Sequence, residues 1–413
     1  MNNRTIRVLK NIAYFSILWV QITIAQTNSL SPYSSFGVGR IENSGFGNNQ
    51  GMGGAGIALP TTNRINALNA ASLSGVDSLE MLFDIGLGIN STTYSSSSGD
   101  ASAVSGGLNN IALAFKLSPI INTSIGISQF SSIGYNVTSS TYIDGGNSEI
   151  NKSYEGSGGI DEVFISNSIS IFKNFSLGLK FSYLFGQIKK TEYYNDSEIG
   201  GELELNYADN LKQIYFEPGF QYHINTTKNT FSIGGIYSPE VNFNSSRSVT
   251  TSSTSGAGII EDIDGDNYEL PSMMAGGVAW VNKSGIKLAI DYRLQKWSNI
   301  EYTSVKVSYK DSHKFAAGLE YTNTKSKRAA PYIWQLGGYY EDTYLKVKGK
   351  SIVDRGINLG VAVPLRNKDS YLNLNFNYGK RGTNDNTLIT EDYYGMNLSL
   401  SIMEQWFKKQ KLN

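Results

Sequence analysis

Apolar and polar residues alternate one for one along much of this chain. In SLGLKFSYLFG, Leu177, Leu179, Phe181, Tyr183 and Phe185 share a face. In IKLAIDYRL the apolar face is Ile286, Leu288, Ile290, Tyr292 and Leu294, with Lys287, Asp291 and Arg293 opposite. YLNLNFNYG sets Leu372, Leu374, Phe376 and Tyr378 against Asn373, Asn375 and Asn377, and YGMNLSLSI sets Tyr394, Met396, Leu398, Leu400 and Ile402 against Asn397, Ser399 and Ser401. Successive side chains of a β-strand point to opposite faces, so each segment reads as a strand with one apolar and one polar face. Candidate strands begin near Met81, Ile111, Ile125, Val163, Phe175, Gln213, Phe231, Met274, Ile286, Val305, Phe315, Ile333, Ile357 and Leu372, with a final one near Met396. That is roughly 14 strands, two either way.

A soluble sandwich produces the same alternation, and three features favour a membrane barrel over it. The segments run to roughly 9–12 residues, as a tilted spanning strand requires. Their apolar faces often end in Tyr, Trp or Phe, like the aromatic girdles of membrane proteins. They recur throughout the chain, separated by Asn/Ser/Gly-rich stretches such as 92–106 and 244–258, which read as connections. Only a closed barrel lets strands cross lipid with every backbone group paired. The expected fold is therefore all-β, a transmembrane antiparallel β-barrel. Its last strand ends in Trp406-Phe407, similar to the terminal aromatic assembly signal of outer-membrane barrels, and a basic tail follows at 408–413.

The first residues agree. Arg4, Arg7 and Lys10 precede the apolar run NIAYFSILWVQITIA, and Ala25 before Gln26 is a plausible cleavage point, so residues 1–25 read as a cleaved export signal. The apolar run is short for a membrane anchor and polar sequence follows at once. The chain has no cysteine, which excludes both lipid attachment at that site and disulfides. Its 43 Gly, 26 Tyr and 18 Phe suit strands and tight turns. A net charge of zero over 413 residues gives no electrostatic footprint for nucleic acid.

Candidate chemistry is sparse. Gly51, Gly53 and Gly56 spell G-x-G-x-x-G, the turn that holds a dinucleotide pyrophosphate between a strand and a helix. Here RIENSGFGNNQ precedes it and Pro60 follows, so neither flank has the required form, and close backbone packing is the expected role. His223 and His313 are the only histidines; parity puts His223 inward near a turn and His313 on the lipid side, and neither has a serine identifiable as its partner. Asp262, Asp264 and Asp266 alternate around Gly265, a weak candidate for calcium whose order departs from the helix–loop–helix calcium loop; a solvated acidic loop is the plainer reading. Neither an enzyme nor a resident cofactor is expected. Asp291 and Arg293 point inward on one strand and are candidate luminal anchors.

Two stretches resemble the FadL-type outer-membrane transporters of long-chain fatty acids and other hydrophobic compounds. After the Gly-rich segment, Asn69-Ala70-Ala71-Ser72-Leu73 is similar to the family's Asn-Pro-Ala-x-Leu sequence, with Ala70 standing where the family usually has proline. In LPSMMAGGVAWVNKSGIKLAIDYRLQKWSNI, Pro271, Gly276, Asp291, Trp297 and Ser298 match the family's hairpin; SIGGIYSPEVNFN, with Pro239, is a weaker third match. The resemblance implies a barrel of 14 strands over 79–407 with a small hatch, 26–78, inside its lumen. It implies a passive channel for hydrophobic molecules in which Asn69, Ala70, Ala71, Ser72 and Leu73 form the movable gate. Membrane lipid and a hydrophobic luminal ligand are the partners it implies. The family also holds barrels that serve as subunits of secretion machinery, so a non-transporting subunit or scaffold of an outer-membrane secretion or assembly complex is the alternative.

Overall fold

A computed structural model describes residues 31–405 except 43–44, 79, 98, 143–148, 197–200, 254–255, 301–306, 324–329, 366–368 and 383–387. The expected export signal, Trp406-Phe407 and the basic tail lie outside these residues.

After a two-residue strand β1 (Arg40–Ile41), the wall begins with β2 (Glu80–Ser96), β3 (Gly99–Lys116), β4 (Ile121–Tyr142), β5 (Glu149–Phe172), β6 (Phe175–Asp196), β7 (Gly201–Asn225) and β8 (Asn229–Ser238). Four shorter pieces follow: β9 (Val241–Asn242), β10 (Asn244–Ser253), β11 (Gly256–Asp264) and β12 (Glu269–Leu270). The wall resumes with β13 (Met273–Asn282), β14 (Ile286–Gln295), β15 (Val307–Tyr309), β16 (Ser312–Thr322), β17 (Ile333–Val347), β18 (Lys350–Pro364), β19 (Tyr371–Gly382) and β20 (Thr390–Gln405). All neighbours are antiparallel, and β2 closes the circle on β20 from Glu80↔Gln405 to Ser95↔Thr390. With β10, β11 and β15 prolonging β8, β13 and β16, the wall crosses 14 times. Val305, expected to open a strand, lies outside the described residues; β15, the described strand that follows it, is a short extension.

Closure explains the alternation. Leu87, Ile127, Ile165, Phe181, Phe216, Ile233, Val278, Ile290, Phe315, Leu336, Leu359, Phe376 and Met396 are large, apolar and exposed, at outward positions around the whole circumference. The inward neighbours are small or polar and buried, among them Asp84, Ser124, Ser166, Ser182, Gln221, Glu320, Asn373, Asn375 and Ser401. A wall that is apolar outside and polar inside is the reverse of a soluble protein. It belongs in a bilayer, and the chain is an integral outer-membrane barrel.

Strands β4 to β7 run for 22, 24, 22 and 25 residues, far beyond what a bilayer needs. The stretches 92–106 and 244–258, expected as connections, are largely strand for the same reason: β2, β3, β10 and β11 continue above the membrane. Water bathes both faces of the sheet there, so nothing demands alternation, and Ser, Thr and Asn pair through their backbones.

The β10–β11 hairpin is pinned to β7 by Arg247. Its Nε and Nη2 donate to Asp209 at 2.6 and 2.8 Å, and Nη1 donates to Asp266 at 2.8 Å. Tyr268 also donates to Asp209, at 2.6 Å. Burial pushes the Asp209 carboxyl up, but these donors and the Arg247 charge outweigh it and hold the group below its ordinary value. A depressed carboxylate stabilises the fold above its unfolded pKa and loses that contribution as pH falls through the folded one. Proteolysis of this hairpin is therefore expected to stay flat from neutral pH down to about 4 and rise below it. A rise beginning near pH 6 would rule this clamp out as its cause.

Candidate functional site: the hatch and the lumen wall

Residues 31–76 enter the barrel at its outer rim and descend to the opposite end, where β2 begins. Most are buried, including Val38, Met52, Ala55, Ile57, Ala58, Ile65, Ala71 and Leu73. Helix is confined to short turns: Pro32–Ser35, Gly47–Gln50 and Ala70–Gly75. A segment without regular structure leaves many backbone groups unsatisfied, and inside a closed wall only protein can satisfy them. The inward polar residues do that work at three levels.

At the rim, Ser31 donates to Glu391 at 2.6 Å, and Arg381 clamps Glu391 at 3.2 Å and Asp354 at 2.6 Å. Trp297 stacks on Tyr344 at 4.1 Å, with Tyr309 edge-on, and Gly37 (φ +59°) lies against this cluster. Trp297 is fully buried and packs with Val38 inside the barrel. The chain turns inward beside it at Pro239 and Pro271, where β9 and β12 leave the wall and pair with each other.

At mid-height, Asp291 Oδ2 accepts from the amides of Gly56 and Ile57 at 2.6 and 2.9 Å. Gln221 donates to the carbonyls of Ile57 and Leu59 at 2.8 and 3.1 Å. Asn69 donates to Ile57 and to Phe220 of β7 at 3.1 and 3.0 Å, and its side-chain oxygen caps Ala71. Arg293 is half-buried on the same strand face as Asp291, within electrostatic reach of Glu217 and Lys180. Asp291→Ala would strand two buried amides at about 1–3 kcal/mol each. Faster hydrogen exchange confined to Gly56 and Ile57 is the expected result, and unchanged exchange there would remove Asp291 as an anchor.

At the floor, Arg64 Nη2 donates to Glu320 at 2.7 Å; their side chains are 1% and 2% exposed. Lys287 approaches the same carboxylate at 2.8 Å, and Gln335 donates to it at 2.7 Å and to the Asn48 carbonyl at 2.9 Å. Asn375 donates to the Gly47 carbonyl at 2.9 Å. The sequence reading missed Arg64 and Glu320, since an isolated charge on an alternating strand gives no hint of its partner.

The Gly-rich motif is packed against the wall. A Cβ on Gly51 would meet Gln335 at 2.3 Å, and one on Gly53 (φ +71°) would meet the Gly338 backbone at 2.7 Å. From the wall, a Cβ on Gly337 would strike Met52 at 2.1 Å, and one on Gly178 would strike the Ala71 amide at 2.1 Å. Ala70, Ala71, Ser72 and Leu73 are all buried, and Ser176 donates to the Ala71 carbonyl at 3.0 Å. Two of the cavities among the described residues border the hatch. One of about 20 Å³ is lined by Phe46, Ile65, Leu73, Phe164, Glu162 and Lys180; the other, of about 80 Å³, lies at the rim beside Tyr33, Arg40 and Arg381.

The remaining candidates do not converge on this lumen. His223 shares a 2.7 Å hydrogen bond with Ser232, a pairing that the sequence did not reveal. Among the described residues no carboxylate orients that ring, so the pair lacks the third group of a hydrolytic triad. His313 bonds Tyr292 on the outer face at 2.8 Å. Asp266 is held by Arg247, and the side chains of Asp262 and Asp264 lie outside the described residues. Among the described residues no group of acidic or histidine side chains could hold a metal.

A family model described as BamG matches residues 7–413. No curated protein matches the sequence. Among solved structures, the Pseudomonas putida toluene transporter TodX superposes with a TM-score of 0.63 at 16% identity, over 89% of this chain and 100% of that one. The Ralstonia pickettii toluene transporter TbuX gives 0.59 at 15% identity, over 89% and 100%. A Pseudomonas aeruginosa FadL homologue gives 0.55 at 13% identity, over 90% and 100%. At these identities the likeness is one of fold.

Proposed function

The chain belongs to the BamG family, and from that premise we propose that it is a non-transporting barrel acting as a subunit or scaffold of an outer-membrane assembly complex. The close packing and bonding of residues 31–76 to the inner wall carry this reading. A pocket for a small molecule typically encloses about 300–1,000 Å³. The cavities beside the hatch hold about 20 and 80 Å³. The hatch is fixed at rim, middle and floor, at the floor by the buried Arg64–Glu320 ion pair and at the rim by Ser31 on Glu391. The tall strands β4 to β7 add a large surface outside the membrane, where a partner can bind without passing through the lumen.

Passive transport of a hydrophobic compound is the second reading, favoured by the shared fold with TodX and TbuX, each described as a toluene transporter. Native purification with lipid analysis, followed by uptake assays in proteoliposomes, separates the two. The subunit reading expects defined envelope proteins to co-purify in fixed ratio, no lipid-like ligand in the barrel, and fatty-acid or toluene uptake equal to that of empty liposomes. A stoichiometric hydrophobic ligand, or accelerated uptake, would overturn it.

A further inference from the structure

The pairing of the closed wall lapses at one place. β3 and β4 pair from Lys116↔Asn122 up to Asn110↔Ser128 and no further. Above that level β3 pairs only with β2. The free edge of β4 is taken by the chain's own amino-terminal segment. Arg40 and Ile41 pair with Ser132 and Ser131, Glu42 donates to the Phe130 carbonyl at 2.9 Å, and Ser31 donates to Gly134. Among the described residues nothing does the same for the opposing edge of β3 at Ser105–Asn109.

That edge lies at membrane level. Gly106 and Leu108 stand opposite Ile89 and Leu87, two exposed residues of the apolar belt. Backbone donors and acceptors facing hydrocarbon without partners are costly, and a bare edge is a template for another strand. Leu108 is exposed, and nothing lies within 4 Å of the position a Cβ on Gly107 would take. The described amino-terminal residues that reach this level, Arg40 to Glu42, are committed to β4.

We infer that the β3 edge at Ser105–Asn109 is a docking site for an extended segment of a second outer-membrane polypeptide, which adds to the wall as a strand. The edge sets the chemistry of that segment. It alternates, with apolar side chains outward beside Leu108 and small or polar ones inward beside Ser105 and Asn109. This inference rests on the subunit reading and names where the partner is held.

The test places a photo-crosslinking amino acid at Leu108, then at the exposed Val104 just above, in the full chain in cells, with Ile290 on the far wall as control. Adducts are expected at Leu108 and Val104 with one polypeptide, about four residues apart in its sequence, and none with that polypeptide at Ile290. Proline is then introduced at Gly106 or Gly107 with the probe kept at Leu108. Successive amides point to opposite edges, so one of these variants disrupts the β2 pairing and the other only removes an edge donor. The variant that still folds, judged by heat-modifiable gel mobility, should lose adduct yield by about tenfold. Adducts with lipid alone, with a second copy of this chain, or at full yield in the folded proline variant would overturn the inference. If the envelope proteins still co-purify while the edge adducts are missing, the subunit reading stands and this docking site falls.

Discussion

Glu320→Gln is expected to destabilise the seated hatch by about 3–5 kcal/mol, the usual cost of removing one partner from a buried ion pair. The loss is large because Arg64 keeps its charge in a site where its side chain is 1% exposed. Its other described polar contact there is Asn373, at 3.5 Å. The reverse substitution is milder. Arg64→Met leaves Glu320 with Lys287 at 2.8 Å and Gln335 at 2.7 Å, so the carboxylate stays neutralised and the cost falls to about 1–3 kcal/mol. The double variant should resemble Arg64→Met alone, since residues in one network do not add. Limited proteolysis of the hatch in a denaturant series, on detergent-folded protein, reads all three. Equal effects of the two single changes, or strict additivity in the double, would show that the Arg64–Glu320 contact does not hold the floor.

How legible this arrangement was depends on the solvent each residue meets. Lipid outside and polar filling inside force a strict period of two, so the outward positions from Leu177 to Met396, and the inward position of Asp291, follow from parity alone. The extensions above the membrane escaped because water on both faces imposes no period; Thr250 and Ser252 look the same in a strand as in a loop. The G-x-G-x-x-G stretch was readable only by elimination. Its flanks excluded a nucleotide turn, but the surfaces it packs on, Gln335 and Gly338, lie hundreds of residues away. Arg64 and Glu320 are the extreme case. Each resembles an ordinary solvated charge until closure of the wall brings both into the same dry interior.

Gly178→Val is expected to open an ion path through a barrel that otherwise conducts little. A Cβ at this position would lie 2.1 Å from the Ala71 amide and 2.4 Å from the Ala70 carbonyl carbon, both backbone atoms that no rotamer change can move aside. The wall strand is fixed by pairing on both sides, to Ser168 and to Gly219, so the hatch must yield. Overpacking of this kind costs about 1–3 kcal/mol, within reach of the few hydrogen bonds holding Asn69–Leu73 to the wall. Displacing that segment exposes a seam of small polar side chains, Asn122, Ser124 and Ser168, whose buried oxygens have no described partner and would hydrate readily. Ala71→Leu enlarges the other half of the same contact and should act in the same direction. Gly276→Ala is the control, because its Cβ meets nothing nearer than 3.6 Å. Planar-bilayer recordings should give steady conductance for Gly178→Val and Ala71→Leu, and near-silence for the parent and Gly276→Ala. If the folded Gly178→Val barrel stays as closed as its parent, Asn69–Leu73 is not the part of the hatch that seals the lumen.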